Sequence, residues 1–257
     1  MPAENQLPLP PIELRRLVGP EDVSQFDNPT GKIVLPDIDA MYFKQVFDFG
    51  CGCGRLARQL IQQKPRPEKY VGIDLHKGMV NWCRKHLAPY DRNFSFIHHD
   101  VYNAGFNPKG KERHLQFPVE DGQFTLAIAW SVFTHILEES AEFYLKEISR
   151  ILRPNSLFFS TWFLFDKRYF PMMQEFQNAL YINPVDPTNA VIFDRLWLLE
   201  TIHNTGFRVV AVHPPEVRGF QWTLILSNDP MAAEVELGED HAPFGIVRAP
   251  VSANART

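Results

Sequence analysis

Cysteine is scarce: three occur among 257 residues, at Cys51, Cys53 and Cys83, with neither metal-ligand spacing nor the density of a disulfide scaffold. They read as small residues in a tight loop plus a core thiol. Long apolar runs are also missing, and none approaches the roughly 20 residues that span a bilayer. The start, Met1-Pro-Ala-Glu-Asn-Gln-Leu-Pro-Leu-Pro10, has neither the basic segment nor the apolar core of a secretory signal. A cytoplasmic chain with no transmembrane segment is expected. There is no basic excess either: the net charge is −4 and the pI about 6.1, which speaks against a phosphate-backbone partner, so no nucleic acid is expected. No cluster of acids and histidines announces a coordination sphere, and no metal site is expected. The apolar content of 45% is enough for a full core, and one domain over 1–257 is the default for this length.

Glycine is concentrated rather than abundant. Gln45-Val-Phe-Asp-Phe-Gly-Cys-Gly-Cys-Gly54 places an acid inside a short apolar run that opens into three alternating glycines. It reads as a strand feeding a nucleotide-type loop. The next segment, Arg55-Leu-Ala-Arg-Gln-Leu-Ile61, has Leu56, Leu60 and Ile61 on one helical face. Gly50, Gly52 and Gly54 let the backbone turn sharply and approach a ligand without Cβ interference. The pattern alone leaves the ligand open, because Gly52-x-Gly54-x-x-Ala57 with Asp74 downstream also satisfies a dinucleotide fingerprint. Asp48 separates the two readings. A charge in an apolar strand is costly unless it faces hydrogen-bond donors or a cation, and an ammonium-bearing ligand suits it better than a pyrophosphate.

Strand and helix patterns then alternate. Tyr70-Val-Gly-Ile-Asp74 is a second strand ending in an acid, followed by a helix through 79–87, and Asn93-Phe-Ser-Phe-Ile-His-His-Asp100 is a third with the same ending. Gln123-Phe-Thr-Leu-Ala-Ile-Ala-Trp130 is a fourth. An amphipathic helix over 139–152 stops at Arg153-Pro154, and Ser156-Leu-Phe-Phe-Ser-Thr-Trp162 is a fifth strand. The long aromatic connection 163–193 precedes a helix at 194–203, and 206–212 with 219–226 forms a terminal hairpin. The expected fold is therefore α/β, a Rossmann-like doubly wound sheet, mostly parallel with a terminal antiparallel strand. Ligands of such sheets bind outside the carboxyl ends of the strands, where Asp48, Asp74 and Asp100 fall.

Four segments together resemble the class I S-adenosylmethionine (SAM)-dependent methyltransferases. Asp48-Phe-Gly-Cys-Gly-Cys-Gly-Arg55 resembles the first motif and Val71-Gly-Ile-Asp74 the second-strand motif, with Asn81-Trp-Cys83 behind it. Phe117-Pro-Val-Glu-Asp-Gly-Gln-Phe124 is similar to the approach to the fourth strand. Ser131-Val-Phe-Thr-His-Ile136 with Tyr144-Leu-Lys-Glu-Ile-Ser-Arg-Ile-Leu-Arg-Pro154 is similar to the family's segment after that strand. The combination resembles a bacterial subgroup associated with glycan and natural-product pathways. Two departures stand out: Thr125 sits where an aspartate commonly succeeds the phenylalanine, and Asn155-Ser156 replaces a glycine pair.

The resemblance implies a SAM site over the core 46–226. Asp48 would meet the methionine ammonium, backbone N–H groups around Gly50, Gly52 and Gly54 would pack on the amino-acid and ribose portions, and Arg55 would pair with the carboxylate. Asp74 would accept both ribose hydroxyls, and Asp100 the adenine amino group, with the Val101 N–H on a ring nitrogen. Leu75 and Met79 would cover the adenine, and Trp130 completes the set. Structural alternatives exist: strand-end acids cap helices, Arg55 is an exposed helix arginine, and Met79 is core. His135 is the best-placed general base, or else a loop support; His98 and His99 alternate faces, so only one can face the cleft.

Acceptor selection is expected from an N-terminal lid segment 1–40, the loop 101–116 with Lys109, Lys111, Arg113 and His114, and the acceptor-side insertion 163–193. That insertion carries Phe163, Phe165, Tyr169, Phe170, Phe176 and Tyr181. The C-terminal tail 228–257 is expected to be poorly structured apart from a docking patch at Phe244-Gly-Ile-Val247. The expected reaction is O-methylation of a sugar hydroxyl or a comparable small metabolite, the acceptor being a small molecule or glycan. N- or C-methylation and a non-catalytic SAM-binding module are the alternatives.

Overall fold

A computed structural model describes residues 7–19, 21–217 and 219–238. Its centre is a sheet built from β1 (Gln45–Phe49), β2 (Lys69–Asp74), β3 (Phe94–His98), β4 (Phe124–Ala129) and β5 (Leu152–Phe165), in the order β3-β2-β1-β4-β5 and all parallel. The crossovers β1 to β2 and β2 to β3 run through helices α2 (Arg55–Gln62) and α3 (Lys77–His86), and α4 (Glu138–Ile151) leads into β5. β3 reaches β4 through the loop 99–123 instead of a helix. Beyond β5, α5 (Arg195–Asn204) precedes β8 (Arg208–His213) and β9 (Trp222–Ser227), an antiparallel pair whose β9 docks antiparallel on Leu157 to Trp162 of β5. The terminal hairpin thus adds the expected antiparallel edge. Among the described residues no helix is long and apolar enough to cross a membrane.

Period-two alternation sorts side chains onto two faces. Phe47 and Phe49 of β1 join the larger core with Phe117, Tyr144, Phe158 and Trp162, under α4 and α5. Val46 joins the other core with Leu56, Leu60, Tyr70 and Val80, under α2 and α3. Asp48 falls on that second face, fully inside the sheet.

The insertion 163–193 departs from expectation. Phe163 to Phe165 continue β5 and pair with β7 (Val191–Asp194), which pairs with β6 (Ala179–Tyr181), so the stretch extends the sheet. Strands of three and four residues among prolines carry no legible period. Both sequence departures are accommodated: the Thr125 hydroxyl lies 2.7 Å from the Tyr42 carbonyl, to which it donates, and accepts from the Gln45 N–H at 3.0 Å. Asn155 adopts φ 60°, the left-handed turn that asparagine tolerates after glycine. The tail expectation is corrected for 228–238, where Val235 N–H donates to Val209, Leu237 is buried and Glu234 pairs with His203 and Arg208. The patch at 244–247 lies outside the described residues.

The N-terminal segment is a strap held by side chains of α2, above all Arg58. Arg58 of α2, only 7% exposed, donates to the carbonyls of Leu7 (3.0 Å), Pro8 (3.2 Å) and Phe26 (2.8 Å) and pairs with Asp27. The strap includes the one-turn α1 (Ile12–Arg15) and ends against Gln62, whose Oε1 accepts from Asn28 N–H at 2.7 Å. Arg58→Met keeps the stem but strands those carbonyls, so a loss of about 2–4 kcal/mol is expected. Thermal unfolding should show it, together with faster proteolytic cleavage between 7 and 27. Unchanged stability and cleavage would mean the strap is held by its apolar contacts and the Gln59 and Gln62 bonds without Arg58.

Candidate functional site

A cavity of about 680 Å³ opens at the carboxyl ends of β1 to β4. The strap lines it through Arg16 to Gly19, with Val18 set against Gly52 of the glycine loop, and Asp74, Tyr102, Asn103, Phe106, Ile136 and Leu137 line it as well.

The loop is shaped by what has no side chain. Gly50 (φ 83°) would drive a Cβ to 2.3 Å from Val132, and Gly52 (φ 54°) to 2.7 Å from Val18, so both must be glycine for the post-β4 loop and the strap to close on the cavity. Gly54 is different: it does not line the cavity, and its Cβ would strike Leu87 at 2.4 Å, so it serves the packing of α2 on α3. The N–H groups of the glycines themselves are already occupied. Gly50 and Cys51 N–H both donate to Ile73 O (2.8 and 2.9 Å), Gly54 N–H to Cys51 O (3.0 Å) and Gly52 N–H to Asp74 Oδ2 (2.8 Å). The loop contributes close approach, and the N–H groups of Gly50, Cys51, Gly52 and Gly54 are spent internally.

Asp48 and Asp74 both reach the cavity. Asp48 is 2% exposed, and burial pushes its carboxyl up to about 7 against the opposing hydrogen bond from Tyr70 Oη to Oδ2 (2.6 Å). Asp74 is likewise raised by burial, although His76 N–H (2.7 Å) and Gly52 N–H donate to its two oxygens. Each oxygen keeps a lone pair for a further donor. Arg55 lines the cavity with its guanidinium 4.7 Å over the Trp130 ring. Leu75, Met79 and Val101 line it as well. Asp100 does not: its side chain is 63% exposed and accepts from Asn107 Nδ2 at 2.9 Å, because the chain turns outward after His99. His99 turns inward instead, its Nε2 2.9 Å from Tyr144 Oη, and burial pulls its imidazole down to about 4, so it is neutral near pH 7. His98 sits 3.0 Å from the Leu75 carbonyl.

His135 lines the cavity with Nδ1 3.1 Å from the Thr188 carbonyl. A carbonyl only accepts, so Nδ1 carries the hydrogen and Nε2 of the neutral ring is the acceptor. Thr188 is the one residue of 163–193 at the cavity; the insertion's aromatics do not line it. The loop 101–116 supplies Arg113, paired with Glu139 at 3.8 Å, while its lysines stay away. Sequence reasoning missed Tyr70, the His99–Tyr144 pair and Ser131, whose φ of 58° is unusual outside glycine and whose hydroxyl pairs with Gln221 at 2.9 Å. Strand alternation puts Tyr70 on the face of Asp74, and the pairing register of β1 with β2 brings Asp48 to it. The three thiols are buried and free, and burial raises all of them, so none is poised as a thiolate. Among the described residues no group of three or more His, Cys, Asp or Glu is arranged to hold a metal ion.

Residues 46–155 match a family described as a methyltransferase domain. A fatty-acid O-methyltransferase of Mycolicibacterium smegmatis is 30% identical over 118 residues, 46% of this chain. The match spans 36% of that relative, about a third of its length. A SAM-dependent methyltransferase from Aquifex aeolicus superposes with a TM-score of 0.53 at 16% identity, covering 86% of this chain and 99% of that one. A geranyl diphosphate methyltransferase in complex with GPP and sinefungin gives 0.53 at 12% identity, covering 73% and 72%. Residues 46–155 are thus similar to a methyltransferase domain, and the structural likeness shows a fold shared with proteins that use SAM. The donor set fits that molecule: a buried carboxylate for an ammonium, a second carboxylate with lone pairs for a diol, and two Cβ-free approaches between them.

Asp48 has a consequence for stability without any ligand. Its carboxyl titrates near 7 in the fold and near 4 unfolded, so its neutral form is accommodated fully below about 4 and that stability is lost as pH rises through about 7. Asp48→Asn should therefore raise the melting temperature of the unliganded protein at pH 8 and leave it almost unchanged at pH 4. The gain is bounded by about 4 kcal/mol, since each pKa unit is worth about 1.36 kcal/mol. A destabilised Asn variant at pH 8 would contradict the buried-charge account.

Proposed function

We propose that the protein transfers the methyl group of SAM to an oxygen of a small acceptor that carries an apolar portion. The observation that carries this reading is one continuous cavity lined both by the carboxylates Asp48 and Asp74 and by the apolar side chains of Leu17, Phe106, Ile136 and Leu137. SAM supplies an electrophilic methyl on a sulfonium, whose bonding pair returns to sulfur as the new C–O bond forms. The chain's own residues orient the partners and keep water out, and orientation alone accounts for most of the acceleration such a transfer needs. Asp48 receives the ammonium, Asp74 the ribose hydroxyls and Arg55 the carboxylate; Leu75, Met79 and Val101 border the adenine.

His135 Nε2 is the group positioned to take a proton from an acceptor hydroxyl. A carboxylate acceptor needs no base. The resemblance to a fatty-acid O-methyltransferase and the apolar side chains in the cavity lining favour an acyl or similarly apolar acceptor over the sugar hydroxyl expected from the sequence. Neutral polar groups at Ser131 and Gln221 are suited to hold the acceptor's oxygen end.

Incubation with isotopically methyl-labelled SAM and a panel of fatty acids, apolar alcohols and sugars, read by mass spectrometry, tests the proposal. Labelled methyl ester or ether on an apolar acceptor is expected; binding of SAM with no labelled product across the panel would favour a non-catalytic module. With a hydroxyl acceptor, His135→Ala should lower kcat by roughly 10²–10⁴ while SAM affinity is kept. With a carboxylate acceptor its effect should be small. Near-normal kcat in His135→Ala on an alcohol would reduce His135 to a loop support.

A further inference from the structure

We propose that Tyr70 is a positioning residue for the cofactor's ammonium group, holding Asp48 ionised and aimed so that SAM binds at neutral pH. The inference rests on the SAM reading of the cavity.

The geometry comes from the register of β1 and β2. Val46 stands beside Tyr70 and Asp48 beside Gly72, all on the same sheet face. A side chain at 72 would fill the space between: a Cβ there would lie 2.8 Å from the Tyr70 hydroxyl and 2.8 Å from Cys51 Cβ. Gly72 leaves that gap, and the phenol reaches across it to donate to Asp48 Oδ2 at 2.6 Å. The ring has no other freedom. Tyr70 is wholly buried, stacked on Phe94 at 4.8 Å and set against Phe96 at 5.7 Å. A phenol in a fixed ring fixes one carboxylate oxygen and leaves the other for the cavity that Asp48 lines.

The remaining charged and titratable groups around Asp48 do not replace this bond. Asp74, at the end of β2, disfavours its charge; Arg55, at the start of α2, favours it less than the Tyr70 bond does. The thiols of Cys51 and Cys83 are held protonated by burial. On the β4 side the neighbour is Ile128, which is apolar. Burial itself acts against the carboxylate and leaves its titration close to neutrality, so the phenol decides whether the charge is present when the cofactor arrives.

The test compares the pH dependence of SAM binding, by calorimetry from about pH 5.5 to 9, in the unchanged protein, Tyr70→Phe and Asp48→Asn. Loss of a hydrogen bond to a charged acceptor should move the low-pH limb of the Tyr70→Phe profile upward by about one to two pH units. Affinity should then be about tenfold weaker or more at pH 7 and largely recovered at pH 9. The cofactor's own amine titrates identically in both, so it cancels from the comparison. Asp48→Asn should lose this limb altogether, and adding Tyr70→Phe to it should change nothing that depends on pH. The same upward displacement should appear without ligand in melting temperature against pH, which keeps the inference testable apart from cofactor binding. A Tyr70→Phe profile parallel to the original, weaker by the same factor at every pH, would reduce Tyr70 to packing and overturn the inference while sparing the SAM reading. Failure of the unchanged protein to bind SAM at any pH would overturn both.

Discussion

Asp48 is a carboxylate inside a sheet, and the surrounding structure answers to the problem that creates. Removed from water, its charge needs donors, a proton or a cation. Tyr70 donates to it at 2.6 Å, and the rest of its capacity faces the cavity. A fold with this residue at this depth is stabilised by a positively charged occupant, which offsets the cost of the buried carboxylate. Asp74 repeats the logic at the next strand with two backbone donors and spare lone pairs.

Glycine makes that depth reachable. Val132 approaches Gly50 and Val18 approaches Gly52 at distances that no Cβ permits, so the post-β4 loop and the N-terminal strap both rest on the loop's backbone. The strap owes its position to Arg58, whose guanidinium gathers carbonyls from residues 7, 8 and 26 that are remote from α2 in sequence. The strap and the post-β4 loop thus reach the cavity over small residues and one buried guanidinium.

Most of the sheet is legible in the sequence because its signals are local and repeated: apolar runs of five or six residues, acids at their ends and glycines where the chain must turn. The placement of Asp48, Asp74, Leu75, Met79 and Val101 at one edge follows from strand direction. The features that are not legible depend on tertiary choices. Asp100 and His99 exchange roles because the chain leaves β3 with His99 turned inward, and no periodicity extends past the strand to say so. Gly54 belongs to a motif yet is fixed by Leu87 and Cys83. The short strands β6 and β7 form by borrowing the end of β5, a pairing no pattern in 163–193 announces. Tyr70 reads in the sequence as one more strand aromatic, although it shares a face with Asp48.

The central claim is that this cavity is built for SAM rather than for a dinucleotide, and competitive calorimetry addresses it directly. SAM and S-adenosylhomocysteine should bind while NAD does not, and Asp74→Ala should weaken SAM more than tenfold, in line with the roughly 1.5–3 kcal/mol of a hydrogen-bonded charged acceptor. Tight binding of NAD, or an Asp74→Ala variant that folds normally and binds SAM unchanged, would contradict the account.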